Sequence, residues 1–261
     1  MPAQTPRLPV IIAIGIVAGF LSGLFGIGGG VIMVPLLVLA ARFPQREASA
    51  TSLAAIIPTA TVAAVAYVSS GTVPIDQLAF GVVIATGAAA LASVGARALR
   101  TWNVRVVRWV FISLLAVTSV MIFVTIPERS AHLDWSVTSV VELVAIGALM
   151  GFTAGLLGVG GGILAVPILI LMGVSDLTAK ALSLVAMVPA AITGTATSHR
   201  AGLVQWRTVL PLAITTTCAA PFGVWASTSL PETWANPLLA AIIVYAAVQL
   251  ADRAIREARR S

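Results

Sequence analysis

The sequence predicts an all-α polytopic membrane protein made of two inverted repeats, each a glycine-broken hairpin followed by three transmembrane helices. Three observations predict this fold class: the composition, a duplicated glycine motif and the distribution of positive charge. Of the 261 residues, 59% are hydrophobic and 9% are charged, whereas soluble domains carry about 25% charged residues. Apolar runs of about 20 residues, the length that crosses a bilayer, recur from Val10 to Ala251.

The glycine motif occurs twice, 132 residues apart. Residues 15–35 read GIVAGFLSGLFGIGGGVIMVP and residues 147–167 read GALMGFTAGLLGVGGGILAVP, with 11 of 21 aligned positions identical. Because the same sequence returns inside the chain, we expect the N-terminal apolar segment to be structural and retained, and not a cleaved signal peptide.

The repeat extends beyond the glycine motif. At an offset of 131 residues, the sequence of residues 48–73 returns in weaker form in residues 179–204. We therefore predict two fused membrane repeats, a first copy at 1–128 and a second copy at 136–261, joined by a polar linker at 129–135.

Each copy is predicted to begin with a long apolar segment, at 10–41 or 138–173. A straight helix over the first segment would be about 48 Å long, whereas the hydrocarbon core is about 30 Å thick. The segment must therefore tilt steeply, kink, or turn back at the glycines. Three ordinary spans follow in each copy, near 48–70, 75–97 and 105–126, and near 178–199, 206–229 and 235–252.

The distribution of positive charge favours the segment that turns back. If each long segment crosses the membrane once, the 15 Lys and Arg residues divide 8 against 7 between the two faces. If each segment is a hairpin, they divide 13 against 2, with Arg129 and Lys180 outside. Positive residues concentrate on the cytoplasmic face of membrane proteins. The sequence therefore predicts two hairpins.

A hairpin plus three spans crosses the membrane an odd number of times, so the second copy is predicted to be inverted relative to the first. The two glycine tips then meet near the bilayer midplane, among ten helical segments around a pseudo-twofold axis. Both termini are predicted to lie in the cytoplasm, in a multi-pass protein of the inner (cell) membrane.

The glycine tips are the first candidate binding site. The half-helices that start near Val31 and Ile163 direct the positive ends of their dipoles at the tips, where an anion needs no buried Lys or Arg. We assign substrate binding to the glycines before each half-helix and at its start: Gly28, Gly29, Gly30, Gly160, Gly161 and Gly162. Glycines at four-residue spacing are typical of helix packing, which we assign to Gly15, Gly19, Gly23, Gly147, Gly151 and Gly155.

Residues with hydroxyl side chains lie near the start of the next helix in each copy. Thr51 and Ser52 in the first copy, and Ser183 in the second, are predicted to complete an oxyanion site beside the tips. The alternative is that these hydroxyls bond their own backbone. The second copy has Leu182 in place of Thr51, so the two halves would contribute unequally. Four prolines are predicted to kink the helices: Pro35, Pro58, Pro167 and Pro189.

Two basic residues are further candidates for a vestibule or a gate. Lys180 is predicted near the outer face, as a vestibule lysine or as a lysine that snorkels to the interface. His199 ends a span at the cytoplasmic face and is a candidate inner gate. Cys218 is predicted to be a small packing residue.

Residue patterns that are absent from the sequence exclude several classes of function. There is no His, Cys and Asp pattern for a metal site and no Ser, His and Asp set for hydrolysis, so we expect no enzyme, no metal and no cofactor. The basic excess lies in short loops and tails beside the spans, so no nucleic acid partner is expected. Mid-membrane carboxylates, which proton- or sodium-driven carriers often use, are nearly missing.

The paired glycine stretches, each followed by an A-x-A-[TL]-S-L helix start, resemble the TauE/SafE sulfite exporter family over essentially the whole chain. The resemblance implies a membrane transporter of small sulfur-containing anions such as sulfite, thiosulfate or organosulfonates. Its other partner would be the lipid bilayer, and a homodimer is compatible with the sequence, which leaves the oligomeric state open.

Three readings of function follow from the sequence and the resemblance. The first is an exporter that works by alternating access around a midplane site between the two tips. The second is a channel-like anion facilitator. The third is a non-transport membrane partner in sulfur metabolism that uses Cys218.

Overall fold

The computed structural model describes residues 8–124 and 136–229, together with positions 241, 244, 248, 251 and 252. All regular elements in the two continuous stretches are helices. They are α1 (Leu8–Phe25), α2 (Gly30–Leu39), α3 (Gln45–Ser69), α4 (Leu78–Thr101, preceded by a 3-10 turn at Ile75–Gln77), α5 (Val104–Val124), α6 (Val137–Leu157), α7 (Gly162–Leu171), α8 (Asp176–Arg200) and α9 (Trp206–Ser229).

These helices confirm most of the predicted spans. Six of them are long and apolar enough to cross a membrane: α1, α3, α4 with its 3-10 turn, α6, α8 and α9. The span predicted at 105–126 is present as α5, although it is not among those six. The span predicted at 235–252 lies outside the continuously described residues.

Each long apolar segment is broken at its glycines, and the chain turns back there. A straight helix would separate Gly29 from Ala18 by about 16 Å, yet a Cβ on Gly29 would lie 2.8 Å from the Ala18 carbonyl oxygen. In the second copy, a Cβ on Gly161 would lie 2.9 Å from the carbonyl carbon of Met150. The predicted hairpins are therefore present in both copies, and the inverted orientation of the copies stays a prediction.

The glycines at four-residue spacing pack helices across the two copies. A Cβ on Gly19 would collide with the backbone of Thr216 in α9, and one on Gly151 would collide with Ala88 in α4. The packing prediction is confirmed for all six glycines, because each contacts a neighbouring helix. Since α1 packs on α9 and α6 packs on α4, each copy's first helix lies against a helix of the other copy.

The centre of the bundle is formed by α3 and α8, which run antiparallel. Leu53 of α3 contacts Gly194 of α8. Near the end of α8, the backbone N–H of Gln205 donates a hydrogen bond to the Thr51 hydroxyl at 3.2 Å. Large apolar side chains such as Ile16 and Phe222 are exposed on the outer helices, as expected of a lipid-facing surface.

The four prolines singled out in the sequence lie inside helices, at Pro35 in α2, Pro58 in α3, Pro167 in α7 and Pro189 in α8. Proline removes one hydrogen bond from a helix interior. Pro58 and Pro189 occupy corresponding positions of the two central helices, and the predicted kinks stay a prediction.

Candidate functional site

The two tips, residues 26–30 and 158–162, have the same backbone conformation. In the first tip, Gly28 and Gly29 both have φ of 72°, and in the second, Gly160 has 83° and Gly161 has 77°. Side chains other than glycine rarely adopt this left-handed region. Every residue of both tips is buried. The glycine spacing is therefore a requirement of the backbone at each chain reversal.

The tips lie against each other. A Cβ on Gly30 would come within 2.5 Å of the carbonyl oxygen of Gly158, and one on Gly162 within 2.9 Å of the carbonyl oxygen of Gly26. The N-terminus of each half-helix, α2 or α7, therefore lies beside the opposite tip. Neither N-cap has a side-chain hydrogen bond. Two helix N-termini, each with a partial positive charge, converge in one buried region.

Two serines join the tips to the central helices in a reciprocal arrangement. The Ser52 hydroxyl in α3 donates a hydrogen bond to the carbonyl oxygen of Gly158 at 3.0 Å. The Ser183 hydroxyl in α8 donates one to the carbonyl oxygen of Gly26, also at 3.0 Å. Each serine therefore holds the tip of the other copy. The expected hydroxyls do lie at the tips, and in this conformation their hydrogens are donated to the protein.

Two apolar side chains that were not predicted from the sequence lie between the tips. A side chain on Gly28 would collide with the sulfur of Met187, and one on Gly160 would come within 2.8 Å of the same atom. Ile56 lies close to both glycines, 3.5 and 3.3 Å from the added Cβ atoms. Ile56 and Met187 are corresponding residues of the repeat, one turn after the bonding serines. Their position one turn after the two serines could have identified them from the sequence.

Thr51 lies elsewhere. Its hydroxyl accepts a hydrogen bond from the backbone N–H of Gln205, so it anchors the connection between α8 and α9. Its counterpart Leu182 is fully buried and faces Gly81 of α4. The difference between Thr51 and Leu182 therefore concerns the way each central helix packs, and it does not concern the contacts of the tips.

Lys180 is buried, in contrast to the exposed vestibule or interface lysine that the sequence led us to expect. Its side chain packs against Gly26, and only 4% of the residue is exposed. Its ammonium group donates to the Asp176 carboxylate at 2.6 Å and to the Ser227 hydroxyl at 3.0 Å. A salt bridge taken out of water in this way pairs two charges that would otherwise be costly to bury. Asp176 was not among the residues predicted from the sequence.

Two other candidates lie away from the buried tips. His199 is exposed at the end of α8, where its Nδ1 accepts a hydrogen bond from the Trp206 indole at 3.0 Å. Cys218 is exposed on α9, so the expectation of a packing cysteine is wrong. Among the residues that the structure describes, no three His, Cys, Asp or Glu side chains come together as a metal-binding group.

The chain is similar to a described protein family and to a named membrane protein. The family described as "Sulfite exporter TauE/SafE" matches residues 1–122 and 143–261, which is most of the chain. A protein of Bacillus subtilis (strain 168) named "Probable membrane transporter protein YunE" is 48% identical over 60 residues. That alignment covers 23% of this chain and 22% of the relative's length.

Proposed function

We propose that this chain, which belongs to the sulfite exporter TauE/SafE family and is a multi-pass membrane transporter, carries small sulfur-containing anions. The proposed substrates are sulfite, thiosulfate and organosulfonates. The observation that carries the proposal is the meeting of two half-helix N-termini at buried tips, where glycines place no side chain of their own over the backbone. Such N-termini attract anions through unpaired N–H groups and the helix dipole.

The anion would bind between the tips, at Gly28–Gly30 and Gly160–Gly162. The Ser52 and Ser183 hydroxyls, which donate to tip carbonyls in this conformation, would then donate to the substrate instead. Met187 and Ile56 would have to move, because they fill the space beside Gly28 and Gly160. The structure described here would thus be a closed conformation in an alternating-access cycle.

We infer that the direction of transport is outward. With the inside negative, each negative charge that leaves gains about 2.3 kcal/mol per 100 mV. A dianion would gain about 4.6 kcal/mol per 100 mV, so efflux would need no coupling ion. The protein would lie in the inner membrane with both termini in the cytoplasm, as the 13 to 2 division of its positive residues favours.

Flux into proteoliposomes tests the proposal. The purified protein would be reconstituted with radiolabelled sulfite, thiosulfate or sulfoacetate, with phosphate and chloride as controls, at membrane potentials of both signs. Saturable, potential-dependent movement of a sulfur oxyanion is the expected result. A folded protein that carries none of the three above the level of empty vesicles would overturn the proposal.

The same assay separates the alternative functions. A channel-like facilitator would give flux that rises linearly with concentration, whereas a carrier saturates. A sulfur-relay partner would depend on Cys218, which is exposed on α9 and lies apart from the buried tips. Replacement of Cys218 with Ser would abolish relay and would leave the flux of a carrier unchanged.

A further inference from the structure

Corresponding positions of the two central helices carry polar side chains of different character. In α3 these are Gln45 and Ser49, and in α8 they are Asp176 and Lys180, 131 residues later. In both helices they lie on the face that carries, one turn further on, the serine that bonds the opposite tip. Each pair is therefore a polar surface that leads from the start of the helix to a tip.

The polar side chains on the surface in α8 are hydrogen-bonded to neighbouring side chains. The Lys180 ammonium group donates to Asp176 at 2.6 Å and to Ser227 at 3.0 Å. Next to it, the Tyr67 hydroxyl donates to the carbonyl oxygen of Gly23 at 2.7 Å. Side chains that are hydrogen-bonded to one another or to the backbone of α1 thus fill the approach to the first tip.

The polar groups on the surface in α3 do not pair in this way. Gln45 is 4% exposed, Ser49 is fully buried, and Ser198, which corresponds to Tyr67, is 1% exposed. Within the part of the chain that the structure describes, both amide atoms of Gln45 and both serine hydroxyls lack a hydrogen-bond partner. Buried polar atoms of folded proteins are nearly always hydrogen-bonded to protein or water. A group of buried polar side chains without partners indicates a site for a polar ligand.

The first turns of α3 lie beside the second tip. The backbone of Ser49 packs directly against Gly158. Leu53 contacts Gly194 across the antiparallel pair of central helices. Ser49 lies one turn before Leu53 in α3, and Ser198 lies one turn after Gly194 in α8. Because the two helices are antiparallel, Ser198 and Ser49 lie at the same level. The three side chains therefore belong to one region, on the approach to the second tip.

The chemistry of this region suits an anion. The Gln45 amide offers two N–H donors and each serine offers one O–H donor, a match for the several acceptor oxygens of a small oxyanion. Among the neighbouring charges, Arg46 has a buried Nε without a partner in the described residues, and its Nη2 donates to the Trp102 carbonyl at 2.6 Å. The Glu47 carboxylate is held by the Gln205 amide at 3.1 Å.

We propose that Gln45, Ser49 and Ser198 form a second anion-binding site, which the substrate occupies on its path to the second tip. The inference rests on the proposed function for the class of ligand, a small sulfur oxyanion. Donors without a formal charge hold such an ion less tightly than a buried lysine would, so the ion can move on to the tips. The corresponding approach to the first tip is closed by the Lys180 and Asp176 ion pair.

Equilibrium binding tests this site directly. Radiolabelled sulfite and thiosulfate would be dialysed against the full-length protein in lipid nanodiscs, with the variants Gln45→Leu, Ser49→Ala and Ser198→Ala. Each should raise the Kd about tenfold or more, because a hydrogen bond to a charged group contributes about 1.5–3 kcal/mol. The matched control is Thr61→Ala in α3, whose exposed hydroxyl bonds its own helix at Ile57; its Kd should not change.

A second variant guards against a folding defect. Gln45→Glu keeps the volume of the side chain and adds a negative charge that repels an anion, so it should raise the Kd at least as much as the other variants do. Wild-type protein that binds neither anion would overturn both this site and the proposed function. Wild-type binding with unchanged affinity in Gln45→Glu and in the alanine variants would overturn this site alone and would leave transport through the tips intact.

Discussion

The Ser52 hydroxyl lies 3.0 Å from the carbonyl oxygen of Gly158 and donates a hydrogen bond to it, although the two residues belong to different copies of the repeat. The corresponding pair, Ser183 and Gly26, makes the same bond at the same distance. Each copy thus holds the other's hairpin tip. A movement of one central helix will therefore displace the tip of the opposite copy.

Removal of either serine hydroxyl should destabilise the protein to a similar degree. Ser52→Ala and Ser183→Ala each leave a buried glycine carbonyl without its donor, at a cost of about 0.6–1.7 kcal/mol in a membrane protein. Thermal unfolding in detergent measures the effect, with Ser69→Ala as control, since its exposed hydroxyl bonds only its own helix. A loss in one variant and none in the other would contradict the reciprocal role.

Substitution at the tips should stop transport without preventing membrane insertion. In Gly29→Val and Gly161→Val the new side chain has both an unfavourable φ and a collision, with Ala18 or with Met150. We expect flux in proteoliposomes to fall to background while the protein still inserts and elutes as a folded species.

A control separates backbone strain from contact at the tip. Gly71 also has a left-handed φ, of 71°, and has nothing within 4 Å of an added Cβ. Gly71→Val should therefore cost only the backbone strain, about 1–2 kcal/mol, and keep its flux. Normal flux in either tip variant would remove that tip from the site.

The buried ion pair should show strong coupling between its two members. Lys180→Met leaves the Asp176 carboxylate buried without its cation, at an expected cost of about 3–5 kcal/mol. The double variant Asp176→Gln with Lys180→Ser installs the residues found at the corresponding positions of α3, and we expect it to recover most of this loss. Thermal unfolding of the two variants and the wild type measures the difference, and equal stability of the two variants would contradict it.

The positions of the loops follow from the hairpin topology. Reporter tags inserted after Arg46 and after Arg100 should both report the cytoplasm, because the first hairpin returns to its own side and two spans follow it. A periplasmic signal from the tag after Arg46 would mean that the first long segment crosses the membrane, and the inverted arrangement would then be wrong.

The helices and the tips could be predicted because their signals are local. Apolar length specifies the spans, and the glycines that the chain reversals require appear in the sequence as G-x-G-G in both copies. The four-residue spacing of Gly19 and Gly23 likewise indicated close helix contact, which the structure confirms. For these features the neighbouring residues along the chain carry the information.

What the tertiary structure alone decided is which residues meet across the two copies. The sequence placed Ser52 beside the tips, but only the packing shows that its hydroxyl bonds the carbonyl of Gly158 and that Met187 and Ile56 fill the space between the tips. Lys180 was expected at a surface because the hairpin topology places it near the outer face of the membrane. It is buried because α8 brings Asp176 to it and α9 brings Ser227. The contacts of Ser52 and Ser227 depend on the packing of helices that are distant in sequence, and local pattern does not encode them. The i,i+4 spacing of Asp176 and Lys180 is local, and the sequence could have indicated that pair.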